Sequence, residues 1–101
     1  EPDGARPAKS AAPQVAAAVS FDNGTSDALT IIDIAARDRI GLLYSITKAL
    51  YDLNLDIASA KIVTEGARVT DAFYVSDLFR AKITEPERLA RIRERLLAVL
   101  E

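Results

Sequence analysis

The chain has 101 residues, 13 basic against 15 acidic side chains and a net charge of −2, with neither His nor Cys. The two zeros exclude a disulfide framework, a thiol nucleophile, an imidazole base, a His-dependent triad and an ordinary zinc site. A near-balanced charge gives no footprint for nucleic acid or an anionic membrane, and no apolar run approaches the roughly 20 residues of a bilayer span.

Residues 1–14 (EPDGARPAKSAAPQ) gather three of the four prolines with Gly, Ala and Ser. Such a composition buries too little apolar area to offset ordering entropy, so it predicts a flexible linker to something upstream. The start lacks a basic-then-apolar leader, which predicts a cytoplasmic chain. The opening Glu1-Pro2-Asp3-Gly4 and the absence of Met read as a segment of a longer protein. Of the 18 alanines, seven precede position 19, so the 50% hydrophobic content overstates the core.

A folded domain is expected over 15–101. Val15 to Asp22 reads as a strand, and Asn23-Gly24 suits the positive φ of a turn. Leu29 to Ile34 is β-branched and partly alternating, a second strand in an antiparallel hairpin with the first. Asp38 to about Leu53 is helical: Ile40, Leu43, Ile46 or Thr47, Leu50 and Leu53 recur at three- and four-residue spacing. Asp38 is read first as its N-cap and Asn54 as a left-handed C-terminal residue. Leu55–Thr64 and Ala67–Asp77 are two more strands joined at Glu65-Gly66. Thr84-Glu85-Pro86-Glu87 has the form of a capping box, opening a helix whose stripe is Leu89, Ile92, Leu96, Val99 and Leu100.

The order ββαββα is a permuted version of the split βαβ layout βαββαβ, with the first strand in the slot of the missing last one. The predicted fold class is therefore α+β: a ferredoxin-like two-layer sandwich, a four-stranded antiparallel sheet with two helices on one face. The bare face or an edge must stay polar or be covered by a partner.

Arg37-Asp38-Arg39-Ile40-Gly41-Leu42-Leu43, Leu53 to Ile62 and Asp71-Ala72-Phe73-Tyr74-Val75-Ser76-Asp77-Leu78-Phe79 together resemble the ACT domain. More narrowly, they are similar to the C-terminal ACT domain of bacterial bifunctional uridylyltransferase/uridylyl-removing enzymes, over roughly residues 19–100. Val19 to Asn23 resembles the strand that opens that family's last domain. Two positions depart from the family's pattern, Ile40 where proline is usual and Arg80 where glycine is common. Loss of that proline implies a less rigid loop and an altered ligand affinity.

The resemblance implies a regulatory module that senses an amino acid, glutamine in that family, and controls modification of the PII nitrogen-signalling protein. It also implies ligands held between the strand–helix loop and a paired second ACT domain, in a homodimer or with an upstream neighbour. It implies no cofactor for this fragment and Mg²⁺ for the parent enzyme. A helix N-terminus offers free amides and a positive dipole end to a ligand carboxylate. The candidate ligand residues are accordingly Asp38, Arg39, Ile40, Gly41, Leu42 and Leu43, with Asn54, Asp56, Ile57 and Ala58 as a second wall. No catalytic residue and no metal ligand is expected.

Plainer roles stand beside these. Gly41 serves close helix–sheet packing equally well, and Asp56 reads as a solvated strand-start residue. Asp71 shares its alternation phase with Val69, Phe73 and Val75, and a buried carboxylate there expects Lys61 or Arg68 as partner. The interleaved Arg and Glu of the second helix, with a Glu87–Arg91 pair, read as a solvated face. Tyr44 and Tyr51 read as packing or an interface. The alternative function is a dimerisation or docking module that binds nothing small. A small phosphatase on the same fold would need an anion cradle, for which only Arg39 is in place.

Overall fold

A computed structural model describes residues 16–101, so the predicted linker 1–14 and Val15 lie outside the described residues. The elements run β1 (Ala18–Asp22), β2 (Thr30–Arg37), α1 (Leu42–Asp52), β3 (Leu55–Glu65), β4 (Arg68–Asp77) and α2 (Pro86–Leu100). The sheet is antiparallel in the order β1-β2-β4-β3. β1 thus takes the edge beside β2, as the permuted layout requires.

Alternation builds the core. Ile32, Ile34 and Ala36 of β2 and Val69, Phe73 and Val75 of β4 face α1 and α2, and all are at most 5% exposed. Leu42, Ile46, Ala49 and Leu50 of α1 and Ile92, Leu96 and Leu100 of α2 close over them. The bare face stays largely polar, with Ser20 paired to Asp33 and Arg37 to Arg68 in the strand register. Ile31 beside Tyr74 is its apolar centre. At the β1 edge, α2 is tied down by Arg93, whose Nε donates to the Val19 carbonyl at 3.1 Å. The same guanidinium lies 5.3 Å from the centre of the Phe21 ring.

Several local expectations need correction. The first helix begins at Leu42, not Asp38, and its N-cap is Gly41 in left-handed backbone geometry, φ 80°, with no side-chain cap. The Asp38 backbone N–H is instead captured by the Ala67 carbonyl at 2.8 Å, which holds Asp38 out of the helix. The Thr84–Glu87 capping box does not form, because Glu85 in extended conformation is the N-cap and Pro86 opens α2. Glu87 and Arg91 do not pair; α2 makes its ion pairs through Arg88 to Asp77 and Arg95 to Asp52. Asn54 does adopt left-handed backbone, φ 63°.

The loop from β4 to α2 is stapled from two sides. Asp77 accepts from the backbone N–H groups of Phe79 and Ala81 at 2.8 and 2.9 Å. This tight turn places Arg80 at φ 65°, a conformation costly for a side chain with a Cβ. Arg80→Gly is therefore expected to stabilise the fold by about 1 kcal/mol. Urea unfolding checks it, and an unchanged midpoint would show that the turn carries no strain.

Candidate functional site

The predicted site residues fall at the two ends of α1. Asp38 to Leu43 precede its first turn, and Asn54 to Ala58 follow its last, so helix length separates the groups by about 15 Å within one chain. Asn54 and Asp56 are exposed and Ile57 is half-buried. Ala58 is the extra residue of a β-bulge, where the pairing with β4 shifts between Ile57 and Ser59. A single chain brings Asp38, Arg39, Ile40, Gly41, Leu42 and Leu43 together and leaves Asn54 and Asp56 apart from them.

At the junction, each residue has a distinct state. Ile40 is fully exposed and Leu43 is 46% exposed, whereas Leu42 is a core residue that offers only its backbone. Arg39 is committed to the fold: its Nη2 donates to the Val99 carbonyl at 2.7 Å, in the last turn of α2. That placement removes the one residue on which a phosphatase anion cradle was drawn. Gly41 has open space where a Cβ would sit, so its left-handed backbone and not close packing is the reason for glycine.

The first turn of α1 is chemically open. Leu42 N–H bonds to Arg39 and Ser45 N–H to Gly41. The amides of Leu43 and Tyr44 between them have no partner among the described residues, no side chain caps them, and no acidic residue stands in that turn. An uncapped helix start of this kind carries partial positive charge and attracts an anion.

Asp71 lies on the helix side of β4, as its phase predicted, and is 2% exposed. The expected partner is absent, because Lys61 is paired opposite Ala72 and Arg68 opposite Arg37, on the other face. Burial first, and then the negative charge of Asp38, push the Asp71 carboxyl above its ordinary range. Asp22 moves the opposite way: hydrogen bonds from the Thr25 hydroxyl and the Gly24 and Thr25 amides hold it low.

Of the two roles expected for Tyr44 and Tyr51, packing or an interface, packing within the chain does not hold. Tyr44 and Tyr51 are 69% and 78% exposed, so they do not pack within the chain. With Lys48 they border a shallow cleft of about 430 Å³ over Leu55, Asp56 and Ile57. Their seven-residue spacing, with Lys48 four after Tyr44, was the available signal for one shared face. Among the described residues, no group of three or more His, Cys, Asp or Glu is arranged to hold a metal ion. No helix there is long and apolar enough to cross a membrane.

Comparison with known proteins locates the chain further. The family described as "ACR9-like, ACT-like domain" matches residues 18–101. A bifunctional uridylyltransferase/uridylyl-removing enzyme of Gluconobacter oxydans is 54% identical over 82 residues. The enzyme of the same name from Azospirillum brasilense is 51% identical, and that from Rhodopseudomonas palustris 48%, over the same length. Each match covers 81% of this chain and 9% of the relative, so the chain spans about a tenth of these proteins. Among solved structures, a protein described as unknown from Galdieria sulphuraria superimposes with a TM-score of 0.56 at 18% identity. That match covers 69% of this chain and 37% of the other, and supports the fold.

Proposed function

The chain belongs to the ACT-like domain family, and from that premise we propose that it is the amino-acid-sensing part of a larger regulated enzyme, with glutamine as ligand. The relatives suggest that enzyme's class, a uridylyltransferase/uridylyl-removing enzyme acting on PII in the cytoplasm. In this reading residues 15–101 are the regulatory unit and 1–14 join it to the neighbouring part. The nucleotidyl-transferring chemistry, with its Mg²⁺, belongs to the rest of the protein.

The observation that supports sensing is the uncapped start of α1. The free Leu43 and Tyr44 amides suit a ligand carboxylate, and Asp38 lies on the same junction to meet an ammonium. Asn54, Asp56, Ile57 and Ala58 complete the site only from a second ACT domain, as in a homodimer, because α1 holds them away within one chain. Regulation then requires the ligand to bind two conformations of the parent with different affinity.

Isothermal titration with each of the twenty standard amino acids, at dilute and concentrated protein, tests the reading. L-glutamine is expected to bind, and no heat with any of them would sink it. Gly41→Asp supplies the matching variant. It sets a carboxylate against the helix amides, so glutamine is expected to bind about tenfold more weakly while the sedimentation coefficient is unchanged. Equal affinity would place the ligand elsewhere.

The exposed Tyr44 and Tyr51 favour a second reading, a docking module without a small ligand. Association that depends on protein concentration and ignores every amino acid would support it over the first.

A further inference from the structure

Asp71 is a buried carboxylate with nothing to pair with. Its Oδ1 has no hydrogen-bond partner among the described residues, and none of the ion pairs described there reaches it. Its position is specific. It pairs with Ile34 on one side and Ile62 on the other, on the face covered by the helices. It stands three residues from Arg68, whose partner Arg37 leads straight into the Asp38–Leu43 turn. Asp38 is itself anchored to that end by its bond to Ala67, and its charge is felt at Asp71.

Two acids thus stand toward this junction, and neither is in an ion pair among the described residues. Ile62, the β3 neighbour of Asp71 on the helix side, is 45% exposed, so the junction is not sealed on that flank. A buried acid without a partner is a cost to the fold that an incoming cation relieves. Across the Asp38–Leu43 turn that joins β2 to α1, the free α1 amides present the opposite polarity. Donors for a carboxylate and acids for an ammonium, at one strand–helix junction, match the two charged ends of an α-amino acid.

We propose that Asp71 determines specificity at this junction by accepting the α-ammonium group of the amino acid whose carboxylate lies on the Leu43 and Tyr44 amides. The inference rests on the sensing reading and adds which ligand group is recognised and by which residue. An α-ammonium arriving at Oδ1 gives the Asp71 carboxylate the cation it lacks, with Asp38 as the outer acid. A ligand without that group leaves the carboxylate unpaired and is rejected.

The amino acid that binds best in the titration above, L-glutamine being expected, is titrated into the 101-residue chain beside its counterpart lacking the amino group. For glutamine that counterpart is 4-carbamoylbutanoic acid. The wild type is expected to bind the amino acid at least tenfold more tightly, and Asp71→Asn to lose at least tenfold for the amino acid alone. Discrimination between the two probes then collapses in the variant. A variant that binds the amino acid like the wild type overturns the proposal and leaves sensing intact, as does a wild type that binds both probes equally. A wild type that binds neither probe, nor any amino acid, overturns both. Carbon-13 titration of the wild-type Asp71 carboxyl is a readout without mutation. Saturating amino acid is expected to lower its midpoint, and an unmoved midpoint overturns the proposal.

Discussion

Replacing Thr30 by valine is expected to destabilise the fold by about 2 kcal/mol, although the two side chains have nearly the same shape. Thr30 is 1% exposed and sits at the start of β2. Its hydroxyl donates to Asn23 Oδ1 at 2.6 Å and accepts the backbone N–H of Ile83 at 2.9 Å. Asn23 in turn donates from Nδ2 to the Ile83 carbonyl at 2.9 Å, and its own carbonyl accepts from Lys82 at 2.8 Å. One hydroxyl thus fastens the β1–β2 turn to the segment that leads into α2. Valine keeps the volume and leaves the N–H of Ile83, a residue 1% exposed, buried without an acceptor. Thr30→Ser, which keeps the hydroxyl, should cost less than half as much. Urea unfolding of both variants measures the difference, and a valine variant as stable as the serine one would show that water replaces the lost bond.

Asp71→Asn should act in the other direction, raising stability by about 1 kcal/mol at pH 7. For a domain of this size that is a gain of roughly 4–8 °C in Tm. The sign follows from the raised carboxyl. The folded chain holds the Asp71 proton at pH values where the unfolded chain, with an ordinary value near 3.8, has released it. The group therefore costs nothing below that range, and stability falls as pH rises through the interval up to the native value. The asparagine variant lacks this loss, so its advantage is present at neutral pH and disappears near about pH 3. Melting curves at the two pH values decide the matter; a variant less stable than the wild type at pH 7 contradicts the assignment of Asp71 as an uncompensated charge. A residue that weakens the fold when unliganded, and whose removal weakens binding, is the pattern expected of a site residue.

The sequence carried the element order, the helix-facing phase of β4 and the stripe of α2, because these depend on periodicity alone. In α1 the expected Ile40 and Leu43 are exposed, and Leu42 and Ala49 join Ile46 and Leu50 in the core, because the helix begins only after the left-handed turn at Gly41. Helix starts were less legible. Asp38 has the chemistry of a cap, but its backbone is claimed by Ala67, 29 residues later, and the turn through Gly41 intervenes. No local signal reports a bond of that range. Asp71 is the sharper case. Arg68, three residues away, is turned to the opposite face by alternation alone, so the sequence already excluded it. Lys61 is different, for it shares the phase of Leu55 and Ile57 until the extra residue at Ala58 reverses it. A bulge that periodicity cannot reveal turns Lys61 to the other face, away from the Asp71 carboxylate.

The bond from Arg39 to Val99 has a mechanical consequence. It clamps the strand–helix loop to the last turn of α2. On the other side of the same loop, β2 pairs Ala35 with Ala18, the first residue of β1. The start of β1 thus lies two residues short of the loop on its ladder, and the end of α2 is tied to the loop itself by a guanidinium. A displacement of that loop therefore pulls directly on the last turn of α2, without having to travel through the hydrophobic interior.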